Sequence, residues 1–246
     1  MGRSEKADKS VKETDTLVLS TLPKTWIFDL DGTLLDTSEG VISSVEKTIE
    51  HFGYEELTKD VMSTFIGPPI SKSMVRIYGV CEDEGLEAMI DFRKAYTEVF
   101  EGEEMADLYK AAVYPGMIEL LKELKKAGYK VGVATYKQED QAKKLLAKKG
   151  MAELFDIIHG ADPYGKLSKA DVVSLSIKDL GALPGETVMV GDSDNDAVGA
   201  EGAGTLFLGV TYGFGFKSRE DVDKYANIGV AGVPLEILDI LNNRVK

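Results

Sequence analysis

Cysteine is nearly missing from this 246-residue chain: Cys81 stands alone, so no intrachain disulfide can form. That scarcity fits a reducing compartment, and the cytoplasm is the expected location. No motif near Cys81 would make it a nucleophile. Histidine occurs only as His51 and His159, which read as ordinary helix and strand-end residues. No apolar run approaches the length needed to span a bilayer. Positive charge is outnumbered, with a formal net charge of −13 and a pI near 4.7. Such a surface argues against nucleic acid or an anionic membrane as the main partner. It does not argue against a phosphorylated metabolite, because a bound cation inverts the field inside a cleft. Internal repeats and low-complexity tracts are also absent. Residues 1–23 are expected to be a loosely held tail, mostly polar and without the apolar region of a signal peptide. Gly2 opens no myristoylation motif, since Lys6 stands where Ser or Thr is needed.

What is present is enough apolar residue, 43%, for a globular core, in one large domain or one domain carrying a smaller insertion. Thr25–Phe28 is a short β-branched and aromatic run, the composition of a strand covered on both faces. After Thr37 and Ser38, candidate helix caps, Val41, Ile42, Val45, Ile49 and Phe52 share one helical face that Gly53 ends. Further helices are expected at 58–65, 70–78, 82–100 and 105–111, with no strand-like alternation among them. Residues 39–111 therefore read as a helical cap inserted into a core made of 24–38 and 112–246.

Beyond Tyr114-Pro115-Gly116 the pattern changes. A helix with Ile118, Leu121 and Leu124 inward stops at Gly128. Strands are expected at 131–135, 155–158, 187–190 and 205–208, with helices at 139–149, 169–180 and 234–241. Alternating strands and helices imply an α/β fold, a Rossmann-like parallel sheet with helices on both faces. Ligands bind such sheets at the carboxyl ends of the strands. Three of these ends carry polar groups, and they are far apart in sequence.

The first end is Asp29-Leu30-Asp31-Gly32, whose two carboxylates start out on the same side of extended chain. Two anions this close repel unless a cation or shared proton offsets them. The plain alternative is an Asp-Gly turn. The second is Thr135-Tyr136-Lys137, where a hydroxyl and free N–H groups could hold phosphate oxygens; the alternative is a helix cap. The third is Gly191-Asp192-Ser193-Asp194-Asn195-Asp196. It is not an EF-hand, because the sixth position is Ala197 rather than Gly and the twelfth is Ala203 rather than Glu. A solvated acidic turn is the remaining alternative to a magnesium site. Gly160 to Leu167 nearly fits a P-loop, but Leu167 replaces the magnesium-binding hydroxyl, and Asp162-Pro163 suits phosphate wrapping poorly.

The run from Phe28 to Thr37, Phe-Asp-Leu-Asp-Gly-Thr-Leu-Leu-Asp-Thr, resembles the first signature of the haloacid dehalogenase superfamily, whose members are mostly magnesium-dependent phosphatases. The segment 191–196 resembles the fourth signature and 131–135 the second, so the resemblance covers roughly 25–209. It implies Asp29 as nucleophile and Asp31 as general acid/base. It implies Mg²⁺ held by Asp29, the Asp31 carbonyl and Asp192, with Asp196 as a supporting or water-mediated ligand and Asp194 outside. Thr135, a lysine, and backbone groups near Leu30, Gly32 and Tyr136 would hold the phosphoryl oxygens. The lysine is Lys169 by similarity, with Lys166 as rival.

The cap position and Phe65-Ile66-Gly67-Pro68-Pro69-Ile70 are similar to phosphoglycolate-phosphatase-like members. The implied activity is hydrolysis of a small phosphomonoester through an aspartyl-phosphate. Two alternatives stand beside it: a sugar phosphomutase of the β-phosphoglucomutase type, and a metabolite-binding or scaffold module on the same fold. Pro68-Pro69, where mutases carry an arginine, weighs against the first, and the full set of acids against the second. Lys72 and Arg76 are candidate cap contacts. Monomer and dimer are both open.

Overall fold

A computed structural model of the chain describes residues 23–68, 70–79, 110–162 and 166–244. The expected tail apart from Pro23, the helix at 82–100, most of that at 105–111, Pro69, Cys81 and the side chains of His51 and Phe52 lie outside the described residues.

The chain opens with β1 (Thr25–Phe28) and β2 (Leu35–Asp36). Helices α1 (Ser38–Phe52), α2 (Lys59–Ser63) and α3 (Ile70–Tyr78) follow. The return begins with β3 (Ala112–Val113) and α4 (Met117–Lys126). Strands and helices then alternate: β4 (Lys130–Gln138), α5 (Glu139–Lys148), β5 (Ile157–Ala161), α6 (Lys169–Asp179), β6 (Thr187–Gly191), α7 (Asp194–Ala203) and β7 (Leu206–Val210). The chain closes through α8 (Arg219–Val222), β8 (Val230–Ala231) and α9 (Glu236–Arg244).

Six strands form one sheet in the order β5-β4-β1-β6-β7-β8, and every pairing in it is parallel. The central strand β1 sits where the chain order reverses, with Phe28 opposite both Val133 and Val190. Period-2 alternation divides its side chains between two cores. Trp26 and Phe28 face a cluster with Leu120, Leu121 and Leu124 of α4, Leu145 and Leu146 of α5, and Ile237 of α9. Ile27 faces the other, with Val172, Val173 and Ile177 of α6 and Ala197 and Ala200 of α7. This is the expected α/β architecture with helices on both faces.

The three helices after β2 gather a separate apolar cluster of Val45, Ile49, Met62, Phe65 and Met74. Arg76 is used there: its guanidinium donates to the Thr64 carbonyl and hydroxyl at 3.0 and 2.8 Å. Lys72 is exposed. Strands β2 and β3 pair antiparallel, Leu35 with Val113 and Asp36 with Ala112.

Several expectations need correction. Ile118 is 37% exposed, whereas Met117, Leu120, Leu121 and Leu124 are fully buried. The i, i+3, i+4, i+7 stripe begins at Met117, which turns Ile118 off the buried face. Thr37 occupies the N-cap position of α1 without a side-chain cap bond. Asp36 Oδ1 instead accepts from the Ser38 N–H and hydroxyl, at 3.0 and 2.6 Å. The strand expected at 155–158 lies two residues later, because Asp156 closes the preceding turn: its N–H donates to the Val131 carbonyl, and its Oδ2 accepts from the Val131 N–H. Pro234 lies in a turn ahead of α9 rather than within it. Strand β4 runs on to Gln138, past Thr135, so Thr135 does not cap a helix.

Candidate active site

Three strand ends converge beside β1. The Asp29 N–H donates to the Val190 carbonyl at 2.9 Å, carrying the pairing with β6 one residue past β1. The chain then turns sharply, with the Leu34 and Leu35 N–H groups both donating to the Leu30 carbonyl. Gly32 makes this turn possible. Its φ is +88°, and a Cβ there would lie 2.7 Å from Asp192 Cγ and 2.8 Å from a Phe214 ring carbon. Its N–H is taken by the Leu35 carbonyl at 2.8 Å, so in this structure Gly32 supplies space and a turn rather than a free donor.

Asp29, Asp192 and Asp196 are all buried, and one carboxylate oxygen of each lies within 4.8 Å of the others. Lys169, the first residue of α6, sits between two of them: its Nζ is 2.5 Å from Asp29 Oδ1 and 2.8 Å from Asp196 Oδ1. Lys166 is exposed, so Lys169 is the one of the two that reaches Asp29. Tyr136 supports that lysine. Its hydroxyl accepts from the Lys169 N–H at 2.9 Å, and its ring centre lies 5.6 Å from Nζ. Thr135 is buried, and its hydroxyl accepts from the Lys137 N–H at 3.1 Å. Asp196 does two jobs, because its Oδ2 also accepts from the Ser193 N–H and hydroxyl in a capping box at the start of α7. Asp194 is exposed, outside the cluster. Leu30, fully buried, contributes its carbonyl to the turn.

Two contacts carried no sequence expectation. Lys137 Nζ lies 3.1 Å from Asp31 Oδ2, with both side chains largely shielded from solvent. The loop after β7 grips Asp192: the Phe214 and Gly215 N–H groups donate to its Oδ2 at 2.6 and 3.0 Å, and the Phe216 N–H donates to its carbonyl. Gly213 lets this loop approach, since a Cβ on it would meet the Gly32 carbonyl and lie 2.5 Å from Asp192 Cβ. The one signal for the grip was the alternation Gly213-Phe214-Gly215.

Four carboxylates, Asp29, Asp31, Asp192 and Asp196, thus face two lysines. Burial pushes the Asp29 carboxyl up to about 8, opposed by Lys169 and reinforced by Asp196, Asp192 and Asp31. Burial and Asp196 raise Asp192 to about 6, while the Gly215 and Phe214 N–H groups pull it down. Burial works against the charge on Lys169, yet Asp196 and Asp29 outweigh it and hold the ammonium above its usual range. An excess of buried negative charge with hard oxygen donors suits a small divalent cation such as Mg²⁺.

The decoys resolve. Asp162 Oδ2 accepts from the Leu167 N–H at 2.8 Å. His159 bridges Glu139 and Asp179, at 3.1 and 2.9 Å, away from the acidic cluster.

A parallel sheet whose order reverses at an acid-lined edge is the layout of a Rossmann-like α/β fold. Comparison with known proteins makes this specific. The model of haloacid dehalogenase-like hydrolases matches residues 26–210, and the chain belongs to that family. Pyrophosphatase PpaX of Bacillus velezensis is 34% identical over 188 residues, covering 76% of this chain and 82% of that protein. Tyrosine-protein kinase PtkA of Mycobacterium tuberculosis is 34% identical over 194 residues, 78% of this chain, and the chain spans 64% of that protein's length. A predicted phosphatase from Clostridium acetobutylicum matches in structure with a TM-score of 0.78 and 30% identity, over 91% of this chain and 99% of that one. Among the described residues no helix is long and apolar enough to cross a membrane.

Proposed function

We propose that the chain is a Mg²⁺-dependent phosphatase of small phosphorylated metabolites, of the phosphoglycolate-phosphatase type, acting through a phosphorylated Asp29. The observation that supports this most directly is the buried cluster of Asp29, Asp192 and Asp196, with Lys169 touching the nucleophile candidate. Asp29, Asp192 and the Asp31 carbonyl would hold the ion, and Asp196 would support it. When bound, the ion screens the carboxylate from the anionic phosphate and aligns the oxygens.

In this reading an Asp29 oxygen attacks phosphorus while the bond to the leaving alcohol breaks. Asp31 delivers its proton to that alcohol. In the second half Asp31 takes a proton from water, whose oxygen displaces Asp29 from phosphorus. In the same reading Lys169, already bonded to Asp29, and the Thr135 hydroxyl would hold the transferring oxygens. In this reading residues 39–111 act as a cap that selects the substrate, supported among the described residues by three helices with an apolar cluster of their own.

Phosphate release from p-nitrophenyl phosphate with and without Mg²⁺ tests the reaction. A panel of phosphoglycolate, sugar phosphates and pyrophosphate tests the substrate. Asp29→Asn is expected to remove turnover without unfolding the chain. Retention of wild-type turnover by that variant would overturn the nucleophile assignment, and isomerised sugar phosphate with little free phosphate would favour a mutase instead.

A further inference from the structure

The extension of β4 beyond Thr135 has a chemical result. Thr135 and Lys137 are two residues apart in the part of β4 where its register against β5 shifts, between Ala134 and Gln138. The Thr135 hydroxyl accepts the Lys137 N–H, which fixes the backbone from which the lysine springs. Its ammonium reaches Asp31 Oδ2 at 3.1 Å. Only 9% of the Lys137 side chain and 12% of that of Asp31 remain exposed, so water competes little with the pair. The other oxygen, Asp31 Oδ1, is buried and has no hydrogen-bond partner among the described residues. A buried carboxylate oxygen without a partner is costly and uncommon, and such groups gather at functional sites.

We propose that Lys137 is a positioning residue for Asp31. By holding Oδ2 it locks the carboxyl rotamer and leaves Oδ1 as the oxygen that exchanges a proton with the leaving alcohol. This rests on the acid/base role of Asp31 given above, and it assigns to the second strand end a function separate from phosphate binding by Thr135. Lys137 thereby differs from Lys169, whose Nζ touches Asp29 and Asp196 and not Asp31.

The test is a leaving-group series. Aryl phosphates from p-nitrophenyl phosphate, whose alcohol departs readily unprotonated, to phenyl phosphate, whose alcohol needs the proton, are compared by kcat/KM at saturating Mg²⁺. General acids contribute about 10²- to 10⁴-fold, so a misplaced one loses part of that range. Lys137→Met is expected to lower kcat/KM roughly 10-fold or more for phenyl phosphate and less than about 3-fold for p-nitrophenyl phosphate. Asp31→Asn should show the same bias more strongly, and Lys137→Met added to it should change nothing further. Equal losses on all substrates, or a further loss in the Asp31→Asn background, would overturn the proposal and make Lys137 a substrate ligand or a structural residue. If Asp31→Asn itself shows no bias, the acid/base reading falls first, and this proposal with it. Should the Met variant fail to fold, Lys137→Gln carries the same comparison.

Discussion

Removing the proposed nucleophile, Asp29, should make the metal-free protein more stable. The site crowds Asp29 against Asp192 and Asp196, with Asp31 close enough to add its charge. Its carboxyl titrates near 8 in the fold against 3.8 for an ordinary aspartate. The folded value lies above the unfolded one, so the destabilisation is absent below about pH 4, grows as pH rises, and is complete above about pH 8. Near pH 7, at about 1.4 kcal/mol per pH unit, it reaches at most about 4 kcal/mol. Asp29→Asn removes this penalty, which near pH 7 is that of holding the carboxyl protonated, while Lys169 keeps Asp196 at 2.8 Å. The amide loses the charge-assisted bond to Lys169, which returns roughly 1–2 kcal/mol of the gain. A net stabilisation of about 1–3 kcal/mol remains, or about 3–10 °C in Tm for a chain of this size. Thermal melts followed by circular dichroism in EDTA measure it directly. The gain should shrink at about pH 5, and Mg²⁺ should raise the Tm of the wild type but hardly that of the variant. A metal-free variant that melts below the wild type near neutral pH would refute the reasoning, because it would mean that the Lys169 pairing outweighs the crowding.

Three other outcomes follow from the same geometry. Gly32→Ala, at φ +88° with Asp192 Cγ 2.7 Å from the new methyl, should cost on the order of 2 kcal/mol or more and at least about 100-fold in kcat, read by melts and phosphate release. Mg²⁺ affinity should rise with pH until about 8, since Asp29 near 8 and Asp192 near 6 must lose protons to bind it; calorimetric heats independent of buffer ionisation enthalpy would contradict this. Leu121→Ala should destabilise by about 2–5 kcal/mol and Ile118→Ala by less than about 1 kcal/mol, because Leu121 is fully buried and Ile118 is 37% exposed; denaturant unfolding separates them.

Much of the fold was readable because parallel strands buried on both faces leave short apolar runs, and Thr25–Phe28 and Thr187–Gly191 are of that kind. The acids at their ends were readable because side-chain chemistry shows in one letter. Other parts leave no such mark. Lys137 is one of many lysines, and its partner is 106 residues away, reached only because β4 continues through the polar Thr135–Gln138. The donors that fix Asp192 are backbone N–H groups, which any residue but proline supplies. Strands β2 and β3 have two residues each, too few for alternation to appear. The error at Ile118 was one of helical phase, as a stripe starting one residue earlier serves Met117 and Leu120 as well.

The short ladder between Leu35–Asp36 and Ala112–Val113 carries a consequence for ancestry and engineering. It clamps the outgoing and incoming chain at the separation of neighbouring strands, about 4.8 Å, whatever lies between them. On the proposed role of residues 39–111 as a cap, the stretch it brackets should be exchangeable for a relative's with Asp29, Asp192, Asp196 and Lys169 keeping their places. Chimaeras spliced at this clamp should inherit their turnover chemistry from one parent and their choice of substrate from the other.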